Sequence, residues 1–192
     1  DSPQADMPEE DLSLAVDMAP EGLPSTCEGT CAEQTLEVEF GAQNVPIERA
    51  VFGLTAPEAS ESGQWELHIE ALHGGFDGCP NQGSPTPART LIVSGLHLPE
   101  LGVDQTWAEG VRATLLDFEG DLVPDPPFFA RATAVTASPI AADLCTECVG
   151  DGTRPHLEGF VALDVQATFE QGTVDGRIYA AHCQSMDTAT AE

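Results

Sequence analysis

The stretch VALDVQATFEQGTVDGRIYAAHC, residues 161–183, is the part of the chain that decides the fold class. Over residues 161–169 an apolar side chain recurs at every second position, with mostly polar side chains in between. Because successive side chains of a β-strand point to opposite faces, this alternation predicts a half-buried strand. Residues 171–173 supply a turn, and residues 174–183 return as a second strand. We therefore predict a β-hairpin here.

Strand-like segments continue upstream of this hairpin. They have a two-residue period or an apolar run of strand length, and they cover residues 36–40, 65–71, 90–98, 111–116 and 130–136. Residues 58–63 and 138–144 are the two stretches expected to form short helical turns. Eighteen glycines and 15 prolines separate the segments. The pattern predicts an all-β fold, an antiparallel β-sandwich of Ig-like or jelly-roll-like type.

The beginning of the chain differs in composition from the rest. Residues 1–24 are acidic and contain several prolines, which predicts an extended N-terminal arm in front of a single sandwich domain at residues 25–192. One stretch of the arm, residues 11–18, nevertheless alternates as a strand does. Its apolar face consists of Leu12, Leu14, Val16 and Met18.

The charge of the chain excludes several classes of function. It has 33 aspartates and glutamates, six arginines and no lysine, for a formal net charge of -27. Such a surface repels nucleic acid and anionic lipid, so we predict no nucleic-acid partner. The absence of lysine excludes Schiff-base chemistry and the lysine of a phosphate-binding loop. No apolar run approaches the ~20 residues of a membrane span, so no transmembrane segment is predicted.

The cysteines bear on the cellular compartment. The chain starts at Asp1 rather than Met, and its cysteine count is even, which together suggest a secreted product whose signal peptide has been removed. We therefore expect an extracellular protein or one on a bacterial cell surface. The cysteines expected to form disulfides are Cys27, Cys31, Cys79, Cys145, Cys148 and Cys183.

The cysteine spacing leaves the pairing open. The preferred arrangement is a long-range bridge from Cys79 to Cys183, with the two closely spaced pairs bridged locally. Alternatively, those two pairs cross-link to each other or hold a zinc ion together. The closely spaced pair at residues 145–148 also has the spacing of a redox motif, although the glycine-rich sequence after it does not supply the expected helix.

An acidic turn supplies the candidate metal site. Its carboxylates follow a spacing that resembles the ligand set of a hard cation such as calcium. Leu122 and Phe128 occupy the places of the glycine and the final glutamate of an EF-hand, so the alternative is a solvated turn between two strands. The candidate ligands are Asp117, Glu119, Asp121 and Asp125. A transition-metal alternative comes from His68, Glu70 and His73.

No catalytic motif stands out, since a Gly-x-Ser-x-Gly elbow is absent and no Ser/His/Asp order is evident, so we predict that the chain is not an enzyme. The strand pattern within residues 11–18 instead suggests that this segment either docks on its own domain or adds as a β-strand to a neighbouring copy. We therefore expect a secreted, non-catalytic structural protein, a fibre or pilus-like subunit that self-associates into a homopolymer. The alternative is a monomeric extracellular binding module for divalent cations such as calcium.

Overall fold

The computed structural model describes residues 22–146, 149 and 159–189, and within them the secondary structure is β-strand and short 3-10 turns. The all-β prediction is therefore confirmed. The strands, in chain order, are β1 (Glu37–Phe40), β2 (Gln43–Pro46), β3 (Arg49–Thr55), β4 (Glu66–His73), β5 (Arg89–His97), β6 (Gln105–Thr106), β7 (Arg112–Asp117), β8 (Phe129–Arg131), β9 (Ala134–Asp143), β10 (Phe160–Thr168) and β11 (Gly172–His182).

These strands join in one hydrogen-bonded sheet, in the order β6-β9-β10-β11-β3-β4-β5-β7-β8. Neighbours are antiparallel except β11 and β3, which run parallel over Ala180 to His182. The first half of β11 pairs with β1, and β1 pairs with β2. The predicted division into two packed sheets is therefore not confirmed, because the backbone ladder links the strands into a single curled sheet.

The curl follows from the chain connectivity. In the strand order, β8 is the last strand at one end of the sheet and β9 is the second strand from the opposite end. Along the chain, however, only Ala132 and Thr133 separate β8 from β9. Consecutive Cα atoms are about 3.8 Å apart, so the two strands meet within about 11 Å. The N–H of Thr133 donates to the carbonyl of Thr168 at 2.6 Å, which ties this connection to the end of β10. The inner face of the curled sheet consequently encloses one large apolar core.

The predicted hairpin is confirmed as β10 and β11, which pair antiparallel from Phe160 opposite Ala181 to Thr168 opposite Thr173. Residues 138–144 were expected to form a helical turn, and that prediction is wrong because most of them belong to β9. Pairing with β10 outweighs their local preference. The sequence also missed β3, whose central residues are buried without alternation because a second apolar cluster covers its outer face.

Two of the predicted disulfides are confirmed, Cys27–Cys31 and Cys79–Cys183. Cys145 is disulfide-bonded as well, and Cys148 lies outside the described residues. The predicted arm strand, residues 11–18, also lies outside them. Within the described part of the chain, no helix combines the length and apolar character needed to cross a bilayer.

Candidate functional site

A continuous trough crosses the outer face of the sheet over β3, β4, β5 and β7, and we call it the outer trough. It has three adjoining sections of about 430, 270 and 350 Å³. The first and middle sections share Glu70, Pro80 and Asn81 in their lining, and the middle and last share Leu116 and Phe118. Because the sections share walls, one extended ligand can contact all three.

One wall of the outer trough is the loop between β4 and β5, residues 74–88. The Cys79–Cys183 disulfide ties this loop to the residue that follows β11. Ser185 Oγ donates to the carbonyl of Pro80 at 2.7 Å, and the Arg49 guanidinium carbon lies 4.8 Å from the ring centroid of Phe76. A covalent bond and two side-chain contacts therefore hold the wall against the sheet.

The first section is closed by residues 183–188, which run alongside β3. The N–H of Thr188 donates to the carbonyl of Leu54 at 2.9 Å. A Cβ at Gly53 would lie 2.5 Å from the backbone of Met186, so only glycine permits this approach. Asp187 Oδ1 accepts the N–H of Leu54 at 2.8 Å and lies 3.0 Å from His182 Nε2, so the segment is anchored from both sides.

Two exposed phenylalanine rings stand at the other end of the outer trough. Phe118 is 56% exposed and Phe128 is 45% exposed, and both residues line the last section. Phe128 has a φ of 60°, a left-handed conformation that is unfavourable for a residue with a bulky side chain. Strain of this kind and exposed apolar surface both concentrate at binding sites.

A buried ion cluster holds the loop that carries these rings. Arg89 is only 3% exposed, and its Nη2 donates to Glu119 Oε2 at 3.0 Å and to Asp121 Oδ1 at 2.5 Å. Asp117, also buried, accepts the N–H groups of Leu122 and Val123 at 2.8 Å each. Its other oxygen lies 3.6 Å from Arg89 Nε, which is an ion pair beyond hydrogen-bond distance.

The cluster gives a structural account of the predicted calcium loop. Asp117, Glu119 and Asp121 do come together, but around the guanidinium of Arg89, which supplies the positive charge. The hydrogen bond from Arg89 holds the pKa of Asp121 below its ordinary value, against the opposing effect of burial.

The described side chains offer no arrangement that supports the calcium prediction. Asp125 is exposed and takes part through its backbone carbonyl, which accepts the N–H of Phe128 at 3.1 Å. Over residues 22–146, 149 and 159–189, no group of three or more His, Cys, Asp or Glu side chains is placed to hold a metal ion. His68 lies 3.5 Å from Glu70, whereas His73 contacts the carbonyl of Pro46 instead.

A second acidic surface lies on the opposite part of the sheet, in a groove of about 690 Å³ along β1 and β11. Glu37 and Asp175 face each other in register there, and Glu39 lies two residues further along β1. Like charges in opposite positions repel each other, and this groove contains no aromatic lining residue. It is larger than any section of the outer trough, but it has the character of a solvated face.

Sequence reasoning did not find the outer trough. It assigned the segment around Phe118 to a turn and gave no role to residues 74–88 beyond Cys79. A usable signal was present, because an aromatic residue inside an acidic turn and a loop with Phe76 and several prolines are both unusual in a purely solvated connection. The chain matches no protein-family model, no curated protein and no solved structure.

Proposed function

We propose that the chain is an extracellular, non-catalytic binding module that holds an extended ligand in the outer trough. The observation that carries this proposal is the pair of exposed rings, Phe118 and Phe128, at one end of a groove whose wall is fixed by a disulfide. A preformed groove loses little conformational entropy on binding, and a few aromatic anchors supply much of the binding free energy.

The non-catalytic part of the proposal is supported by four ionisable groups near the trough that have structural roles. Arg89 and Asp117 are buried and hold a loop, and His182 and Asp187 anchor the segment next to β3. Each of these groups is thus committed to holding the walls of the trough.

The extracellular location is supported by the disulfides, since Cys79–Cys183 and Cys27–Cys31 would be reduced in an ordinary cytosol. A net charge of -27 also favours solubility outside the cell.

The proposal is tested by panning the immobilised full chain against a random peptide library. The comparison uses the double variant Phe118→Ser/Phe128→Ser and, as a matched control, Val103→Ser. Val103 is 62% exposed and is not among the residues that line the trough, so its replacement removes a similar apolar surface elsewhere. Thermal melting of the three proteins checks that each is folded.

We expect the wild type and Val103→Ser to enrich the same peptides and the double variant to lose them. If no peptide is enriched, or if the double variant retains those peptides while folded, the trough is not the binding surface and the proposal fails.

A second candidate function, a fibre subunit joined through residues 11–18, is favoured by one separate observation. Leu23 packs against the core, and the carbonyl of Pro24 accepts the N–H of Ala142 at 3.0 Å. The described chain therefore starts at the outer edge of β9, where an added strand could pair. Pro139 and the irregular pairing beside it limit that edge to a short length.

The fibre candidate is tested by replacing both Leu14 and Val16 with aspartate. Electron microscopy of concentrated wild-type protein should then show filaments that the double variant does not form, because charge would enter the apolar contact. Filaments of unchanged length in the variant, or a wild type that remains monomeric, would rule out assembly through this segment.

A further inference from the structure

We infer that the ligand of the outer trough is a cationic peptide segment, whose arginine or lysine side chains lie against the Phe118 and Phe128 rings with Glu70 and Glu119 beside them. This inference rests on the proposed function, and it adds the chemical class of the ligand.

The positions of the carboxylates support a cationic ligand. Glu70 lines the first and middle sections, Glu119 lines the last section, and the exposed ring of Phe118 lines the middle and last sections between them. A cation that lies on an aromatic face gains from the ring quadrupole, and a nearby carboxylate adds to the attraction. The Glu119 side chain is 57% exposed and that of Glu70 is 29% exposed, so a ligand can reach both.

The described arginines are already engaged with groups of the chain, so they leave little positive charge to neutralise the carboxylates of the trough. Within the described part of the chain, each arginine contacts a carboxylate, a backbone carbonyl or an aromatic ring. These arginines are Arg49, Arg89, Arg112, Arg131 and Arg177. Of the two trough carboxylates, Glu119 shares Arg89 with Asp121, and Glu70 has the imidazole of His68 at 3.5 Å.

Charge also disfavours the chain itself as the occupant. A second copy would bring another net charge of -27 to an acidic groove. The segment before the described residues, 1–21, carries seven aspartates and glutamates and no arginine or lysine. Charge complementarity therefore favours a positively charged segment of a different protein over a second copy of this chain or its residues 1–21.

The inference is tested with two synthetic decapeptides of alternating sequence, arginine–tyrosine and citrulline–tyrosine. Citrulline keeps the shape of arginine and removes its charge. Binding is measured by fluorescence anisotropy at physiological salt to the wild type, Glu70→Gln, Phe118→Ser and the control Asp175→Asn. Asp175 lies in the other acidic groove, so this control makes the same change in net charge at a different place.

The expected result is that the arginine peptide binds the wild type about tenfold more tightly than the citrulline peptide, as a cation–aromatic contact plus an ion pair would give. Glu70→Gln and Phe118→Ser should weaken that binding, and Asp175→Asn should not. If both peptides bind with equal affinity and both need Phe118, the ligand is not selected by its positive charge, so the inference is wrong while the proposed binding function still holds. Loss of affinity in Asp175→Asn equal to that in Glu70→Gln, or no binding of either peptide, also overturns the inference.

Discussion

The side-chain amide of Gln105 pairs with the backbone of His97 as a neighbouring strand would. Gln105 Oε1 accepts the N–H of His97 at 2.8 Å, and its Nε2 donates to the carbonyl of His97 at 2.9 Å. Along β5, the pairing with β7 stops at Ser94, which lies opposite Arg112, the first residue of β7. The Gln105 amide therefore continues the hydrogen bonding along β5 where β7 no longer reaches. Since Gln105 belongs to β6, one side chain joins the edge of the curled sheet to β5.

Replacement of Gln105 with leucine should destabilise the fold by about 2–4 kcal/mol. Two backbone groups of His97 would lose their partners, and each unsatisfied buried polar group costs about 1–3 kcal/mol. Urea denaturation measures the free energy of unfolding. The control is Gln166→Ala, an exposed glutamine within β10, which should change stability by less than about 0.5 kcal/mol. Equal effects of the two substitutions would show that the Gln105 amide does not stabilise the fold through His97.

Replacement of Arg89 with methionine should destabilise the protein by about 3–5 kcal/mol, because it leaves the buried carboxylate of Asp117 without its countercharge. The control Arg112→Met removes an arginine that is exposed and contacts carbonyls and the ring of Trp107. Adding Asp117→Asn to Arg89→Met removes the charge and keeps an oxygen that can accept from Leu122 and Val123, so it should restore part of the lost stability. If the double variant is less stable than Arg89→Met alone, the buried charge is not the cause.

The stability of the protein should depend on Asp121 in a defined pH range. Because the hydrogen bond from Arg89 lowers the pKa of this carboxyl in the fold, its ionised form stabilises the fold above the ordinary pKa of 3.8. That contribution is lost as the pH falls through the lowered value. Asp121→Asn should therefore be less stable than the wild type at neutral pH, with a difference that shrinks below pH 3.8. A difference that stays constant down to the acid transition would contradict this account.

The Cys79–Cys183 disulfide should contribute more stability than Cys27–Cys31. It joins residues 104 apart in the sequence, whereas the other joins residues four apart. On the chain-entropy model the serine double variants should lose about 5 and about 2 kcal/mol respectively. Denaturant unfolding of the two variants measures this order. The Cys79/Cys183 variant should also weaken ligand binding in the outer trough, since one wall loses its anchor.

The sequence was sufficient for those parts of the fold that depend on local periodicity. The β10–β11 hairpin alternates because one of its faces is buried and the other is solvated. The strand order of the curled sheet was not predictable, because it depends on pairings between distant parts of the chain, such as that of β11 with β3. Because β3 is buried on both faces, its sequence does not alternate between apolar and polar residues. The segment that covers its outer face, around Cys183 and Met186, is far away in sequence.

The candidate site was harder to predict than the fold. The spacing of Asp117, Glu119 and Asp121 led to the prediction of a metal ion, whereas the structure brings these carboxylates together around Arg89, which precedes them by about thirty residues. Exposure of the Phe118 ring likewise depends on how the loop is held by that ion cluster. The aromatic residue inside the acidic turn was a local signal for the site, whereas the pairing with Arg89 has none.

Binding in the outer trough can be located residue by residue with NMR. The arginine–tyrosine decapeptide is titrated into isotopically labelled protein while the backbone amide resonances are followed. We expect the largest shifts at Glu70, Phe118 and Phe128. Shifts concentrated at Glu37, Glu39 and Asp175 would instead indicate that the peptide binds the other acidic groove, and would contradict the proposed binding in the outer trough.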